Sequence, residues 1–264
     1  VRRDQMDLKT VIYTKTDGIA WAQLNRPDKL NALNSDVFND IGKVVDAVAK
    51  DDDVRVLVIT GGEKVFAAGA DIEQMSTGNI ADAYKFSDEI IPATERLADL
   101  GKPTIAMMSG YALGGGLEIA LCCDFRIASE SVVVGLPEIT LGIIPGGGGT
   151  QRLPRLINYS VAAEMIMTGM MVKADRALDV GIVNKVVAQD VLKEEVVKFA
   201  KLLMSRPPIA LRAAKVAMRK GLNVSLKDGI CIEQDLFGML FGTQDQKEGM
   251  KAFLEKRKPS FTGR

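Results

Sequence analysis

The chain has 264 residues, 34 basic and 34 acidic side chains, three cysteines and no histidine. The missing histidine excludes a Ser-His-Asp triad, a Cys-His pair, a His-ligated zinc site and a facial-triad iron site, so acid–base work near neutral pH falls to Asp, Glu, Lys, Tyr, Cys or the backbone. A 47% hydrophobic content supports a large core, the zero net charge argues against broad nucleic-acid coating, and no 18-residue apolar run reads as a membrane span.

Residues 8–25 alternate loosely, and Asp17-Gly18 predicts a hairpin between two strands. After the break at Arg26-Pro27, Ser35 is placed to cap a helix running to about Lys50, with Val37, Ile41, Val44, Val45 and Val48 on one stripe. Residues 54–60 read as a buried strand, 61–70 as a Gly-rich loop and 72–100 as one helical stretch. The unit then repeats, with a strand at 103–108, a Gly-rich turn at 109–116 and a short apolar helix at 117–123. Strands follow at 125–128 and 132–136, a glycine cluster at 146–149, helical patterns at 150–157, 160–167 and 174–180, and a last strand at 183–187. This succession argues an α/β fold. From Leu192 onward the pattern is helical only. Ser225 and Thr243 read as N-caps, Thr243 to Gln246 as a capping box and Pro259 as the final stop.

Cys122, Cys123 and Cys231 form no CxxC and sit in apolar runs, which predicts small buried side chains and a reducing compartment. Residues 1–5 read as a cloning remnant before a natural start at Met6, although a trimmed transit peptide would look similar. The last eighteen residues hold six basic side chains against Glu248 and Glu255, a face that either meets phosphates or is simply solvated. Phe237, Met239, Leu240 and Phe241 read as core, or at a chain end as a subunit contact.

No P-loop, GxGxxG or GxSxG register occurs, so the glycines need another explanation. Gly114-Gly115-Gly116 precedes a helix, where free N–H groups favour negative charge; an oxyanion hole and a tight packing turn both fit. Glu118 is the only polar side chain in 117–123, so it is either buried against a basic partner such as Arg126 or faces a cleft. Glu138 and Thr140 are the only polar side chains in 132–149. Desolvation there should raise the Glu138 pKa and suit a proton donor, while a strand edge or loop is the bland reading. Two such carboxylates beside Gly-rich turns suggest metal-free acid–base chemistry on an activated carbonyl compound. The small-residue turn 66–72 allows a flat ligand or a carbonyl oxygen near the backbone, with packing as the default.

Taken together, AQLNRPDKLNALN (22–34), FAAGADI (66–72), GYALGGGLEIALCCD (110–124), LPEITLGIIPGGGGTQRLPRLI (136–157) and EGMKAFLEKRKPSF (248–261) resemble the enoyl-CoA hydratase/isomerase (crotonase) family over residues 10–262, nearest its short-chain hydratase branch. The resemblance implies a spiral of ββα units in two roughly perpendicular sheets over residues 6–195. It also implies a C-terminal helical region, 196–264, that assembles homotrimers, usually paired into homohexamers. It implies an oxyanion hole from the N–H groups of Ala70 and Gly115, and catalytic carboxylates at Glu118 and Glu138. The CoA thioester would lie along Ala68, Gly69, Asp71, Ile72 and Gly114, with Lys29 and Lys251 as phosphate contacts. Neither a metal nor a cofactor beyond the CoA of the acyl-CoA substrate is implied. The expected location is the bacterial cytoplasm, or the mitochondrial matrix if residues 1–5 are a transit stub.

Both glutamates together favour hydration of a trans-2-enoyl-CoA. Isomerases of the family commonly keep only the equivalent of Glu138, so a Δ3,Δ2-enoyl-CoA isomerase is the alternative, followed by other chemistries of the fold. RNA binding, known for some members, is disfavoured by the balanced charge. Leu117 and Ser109 depart from the family's usual residues beside the hole, which bears on substrate preference. Met75, Tyr84 and Phe86 are expected to shape the acyl pocket.

Overall fold

The first strands are a hairpin because Asp17 (φ 51°) and Gly18 (φ 77°) both take the left-handed conformation that a two-residue turn of this hand requires. They join β1 (Val11–Thr16) to β2 (Ile19–Leu24). A computed structural model describes residues 6–264, so the reading of residues 1–5 lies outside the described residues. Two compact units divide the chain: residues up to 197 without 101–103, and residues 101–103 with 198–264.

In the first unit, α1 (Ser35–Lys50) follows, with Val37, Phe38, Ile41, Val44, Val45 and Val48 buried along the predicted stripe. Its cap is Asn34, not Ser35: the Asn34 backbone is extended and its side chain accepts the Val37 N–H at 3.1 Å, whereas Ser35 is already helical. Asn34→Ala should cost about 1 kcal/mol, read as a lower urea midpoint with unchanged slope.

Next comes β3 (Val56–Thr60). The single helix expected over 72–100 is two, α2 (Ile72–Met75) and α3 (Ile80–Asp99). The break is made by Asn79, whose side chain accepts the Ala81 and Asp82 N–H groups while Asp82 accepts the Asn79 N–H, a complete capping box. Then come β4 (Thr104–Met108), β5 (Tyr111–Leu113), α4 (Gly115–Cys122), β6 (Phe125–Ser129) and β7 (Val133–Gly135). A 3₁₀ turn (Pro137–Leu141), α5 (Gly149–Leu156), α6 (Tyr159–Thr168), β8 (Met171–Lys173), α7 (Ala174–Asp179) and β9 (Lys185–Val187) complete the sequence.

The large sheet runs β1-β2-β3-β4-β6-β9 and is parallel from β2 onward; the small sheet is β5-β7-β8. Successive turns of the chain send one strand to the large sheet and the next to the small one, then return through helix. Earlier turns reach the small layer only as bridges, Leu33 to Ala70 and Ala67 to Ala112. This is the expected spiral. Every residue of β3 and β4 is buried, as parallel strands covered on both faces require, which is why they read as unbroken apolar runs. At three residues each, β5 and β8 are too short to show a period, and the first reads from sequence as part of a turn.

The helix α8 (Leu192–Met204) holds the boundary between the units. In the second unit are α9 (Pro208–Gly221), α10 (Leu226–Leu240) and α11 (Gln244–Leu254). Ser225 and Thr243 cap as predicted, each accepting an N–H three residues on. The Thr243 capping box keeps one arm only, because the Thr243 N–H is already bonded to Leu240 O. Pro259 does not stop α11: the helix ends at Leu254, and left-handed Lys256 (φ 55°) turns the chain so that Arg257 N–H reaches Ala252 O. The following tail folds back, with Glu248 holding Arg257 and Ser260 N–H, and Asp245 holding Thr262 and Gly263 N–H. Phe237, Met239 and Phe241 are exposed rather than core, and Cys231 is exposed, unlike the buried Cys122 and Cys123. No described helix is long and apolar enough to cross a membrane.

Candidate active site

The 67–71 segment runs between two neighbours. Ala67 exchanges bonds with Tyr111 and Leu113 on β5, while Ala68 N–H bonds Leu30 O on the opposite side. Leu33 then bonds the groups flanking Ala70, taking Gly69 O and Asp71 N–H. In such a parallel bridge the central residue's own N–H points away, so the Ala70 N–H turns from Leu33 toward the β5 side and has no acceptor among the described residues.

On that side lies the turn into α4. Gly114 has φ 50° and ψ −126°, a conformation reserved for glycine, and a Cβ there would sit 3.6 Å from Gly69 Cα and 3.0 Å from Glu138 Oε1. Gly115 opens α4, so its N–H is one of the orphan donors of a helix N-terminus and carries the positive end of the helix dipole. Two backbone donors without an acceptor among the described residues therefore lie around one turn.

Glu118, one turn into α4, is buried. Its Oε1 accepts Gly147 N–H at 2.8 Å and Gly149 N–H at 2.7 Å, and both bonds fall on that oxygen, leaving Oε2 with none among the described residues. Burial raises its pKa, opposed by the Gly149 and Gly147 N–H groups and then by the positive charge of Arg152. Arg126 is not its partner: that guanidinium is buried among carbonyls, bonding Ile182 O, Ala120 O and Cys123 O.

Glu138 sits in the 3₁₀ turn after β7, half-buried, with Oε2 enclosed and without a hydrogen-bond partner among the described residues. Burial pushes its pKa up to about 7, with its own backbone N–H opposing and the Glu118 charge adding to the rise. The pair is unlike: Glu138 is an enclosed carboxyl with its pKa raised to about 7, and Glu118 has one oxygen clamped and the other without a protein bond among the described residues.

Ala68, Gly69, Ala70, Asp71, Gly114, Gly115, Glu118 and Glu138 thus surround one turn-to-turn contact. The Asp71 carboxylate is engaged by Arg26 at 2.9 Å and anchors the 67–71 segment. Ile72 opens α2 at the surface. Lys29 is exposed and paired with Glu73 at 2.7 Å, and Lys251 lies in the second unit on α11, 3.9 Å from Glu255. Of the acyl-pocket candidates, Phe86 stacks edge-on against Phe38 of α1 at 6.2 Å, and Tyr84 is exposed. Leu117 is wholly buried, and Ser109 Oγ is buried without a partner among the described residues. Sequence reasoning missed Gly147, Gly149 and Arg152, although the 146–149 cluster was visible. It also missed Asn31, which ties Arg26 N–H to the carbonyls of Gly61, Val65 and Phe66.

A family model described as enoyl-CoA hydratase/isomerase matches residues 14–264. The crotonyl-CoA hydratase of Syntrophomonas wolfei is 44% identical over 97% of this chain and 99% of its own. The short-chain-enoyl-CoA hydratase of Clostridium acetobutylicum is 43% identical over 96% of this chain and 97% of its own. The crystal structure of an enoyl-CoA hydratase from Bacillus anthracis superimposes with a TM-score of 0.93 at 38% identity, covering 97% of this chain and all of that one. With a glutamate pair and two unengaged N–H groups where the motifs put them, and with kinship running the length of the chain, this protein belongs to the enoyl-CoA hydratase/isomerase family.

Proposed function

We propose that the protein is an enoyl-CoA hydratase that adds water reversibly and syn across the double bond of a short trans-2-enoyl-CoA, crotonyl-CoA to 3-hydroxybutyryl-CoA. The observation that carries this reading is the pair of unlike glutamates: Glu118, with one oxygen clamped and the other open, and Glu138, holding an enclosed and unpartnered oxygen.

The thioester oxygen accepts the N–H groups of Ala70 and Gly115. Glu118 Oε2 takes a proton from water as the water oxygen bonds Cβ. The double-bond electron pair moves toward the thioester, whose oxygen becomes enolate-like in the hole; a donor of this kind is typically worth about 2.7–4 kcal/mol in the transition state. Glu138 then gives its proton to Cα. Glu118 ends protonated and Glu138 ionised, and exchange with solvent restores both. All groups used belong to the chain or the substrate, whose CoA is bound and released rather than retained as a cofactor.

Three further parts are proposed. The second unit assembles trimers or hexamers, supported by the exposed Phe237, Met239, Phe253 and Leu254; light scattering at about one subunit mass would overturn it. Lys29 and Lys251 contact CoA phosphates, and the bacterial cytoplasm is the working compartment.

The decisive assay follows loss of the conjugated double bond of crotonyl-CoA, with a 3-enoyl-CoA run in parallel. Conversion of the 3-enoyl-CoA without hydration would favour the isomerase. In the hydration direction kcat/KM should fall as pH rises past about 7, because Glu138 must carry its proton. With no histidine in the chain, that limb cannot be assigned to imidazole.

A further inference from the structure

The loop that clamps Glu118 is itself held from behind. Its peptides alternate: Gly147 N–H and Gly149 N–H point to Glu118, while the carbonyl between them, Gly147 O, points the other way and accepts Arg152 Nη1 at 2.8 Å. Arg152 Nη2 continues to the Glu95 carboxylate on α3. The guanidinium lies so close over Gly148 that a Cβ there would overlap it at 2.0 Å, and the Arg152 side chain is only 17% exposed. Ile90, also on α3, stands 3.3 Å from where a Cβ on Gly147 would be, a point that also lies 2.7 Å from Glu118 Oε2.

We infer that Arg152 is a positioning residue: braced on Glu95, it holds the Gly147 carbonyl and so keeps two N–H groups trained on one oxygen of Glu118, leaving the other for water. A planar fork suits this, since one end grips a carbonyl and the other a carboxylate, which a lysine ammonium cannot do in the same geometry.

The charged groups facing Glu118 are Arg152 from α5 and Glu138 from the 3₁₀ turn. Its own helix adds none, and Leu33 and Ile90 around the glycines are apolar. Removing Arg152 therefore takes away the one cation among these and loosens both donors. Both losses favour the protonated carboxyl, so Glu118 should titrate at higher pH.

The rate readout rests on the hydratase reading; the titration does not. In protein labelled with ¹³C-glutamate, the Glu118 carboxyl resonance is identified by its loss in Glu118→Gln. In Arg152→Met it should titrate about one pH unit above wild type. On crotonyl-CoA, kcat should fall about 10–100-fold with KM nearly unchanged, the pattern of a misplaced catalytic group. Arg152→Lys should bring the midpoint back toward wild type but recover little rate. Glu95→Gln, a surface change that spares folding if Arg152→Met does not, should move both readouts the same way by less. Arg155→Met, on an exposed side chain bonded only within its own helix, serves as control. An unmoved Glu118 midpoint in folded Arg152→Met and Glu95→Gln overturns the inference. A moved midpoint in a protein that hydrates no enoyl-CoA upholds it and overturns the hydratase reading instead.

Discussion

Glu118→Gln and Glu138→Gln should each lower kcat for crotonyl-CoA hydration by about 10²–10⁴-fold, the usual loss on removing a general base or acid. The substitutions keep shape. In Glu118→Gln the amide carbonyl can still accept Gly147 and Gly149 N–H, so the loop stays in place, but the amide cannot take a proton from water. In Glu138→Gln the amide can donate a hydrogen bond but cannot deliver a proton to Cα.

Stability separates this from damage to the fold. The folded pKa of Glu138 lies above its unfolded value, so the folded state holds the proton more tightly. The site therefore costs stability increasingly as pH rises from about 4 to about 7. Glu138→Gln should thus melt higher than wild type at pH 8 and alike at pH 4, by an amount on the order of 1 kcal/mol after discounting for partial exposure. Either variant with near wild-type turnover would refute its assigned role. A lower melting temperature at pH 8 would refute the electrostatic account of Glu138.

Gly147→Ala should cost about 10²-fold in kcat, because the new methyl would stand 2.7 Å from Glu118 Oε2 and 3.0 Å from its carboxyl carbon. Gly147 does not need a left-handed backbone, so the chain itself accepts alanine and the main conflict is with the carboxylate. Ile90 Cγ2, 3.3 Å from the same methyl, crowds it further. The stability cost should stay within the about 1–3 kcal/mol of a crowded interior methyl. Gly146→Ala is the matched control, since a methyl there meets nothing within 4 Å and its φ is not positive. Equal rates for the two variants would mean that Glu118 does not work from its observed position.

The parts of the fold visible in the sequence were those with long or complete signals. The hairpin at Asp17-Gly18 is local turn chemistry, and β3 and β4 are apolar runs because both faces are buried. The stripe on α1 runs from Val37 to Val48, about three turns, enough for its period to show. Some short signals were lost: β5 and β8 have no room for alternation and no longer apolar run of the kind that marks β7 and β9, and the Asn79–Asp82 box is overrun by the helical pattern on either side. The exposed Phe237 and Met239 read as core or subunit contact from sequence, because a hydropathy pattern gives an apolar face, not what covers it.

By itself the sequence determined which chemistry was available. Without histidine, and with single carboxylates in two apolar runs, it pointed to glutamate as the candidate for proton transfer, because a charge among apolar residues must be partnered, desolvated or in use. Only the tertiary structure decided how those carboxylates are held. The partner of Glu118 is not the nearby Arg126 but two backbone N–H groups 29 and 31 residues away. Glycine peptides carry no side-chain mark of where they will point. That direction is set by how the loop is braced against Arg152 and α3, a property of the packed chain.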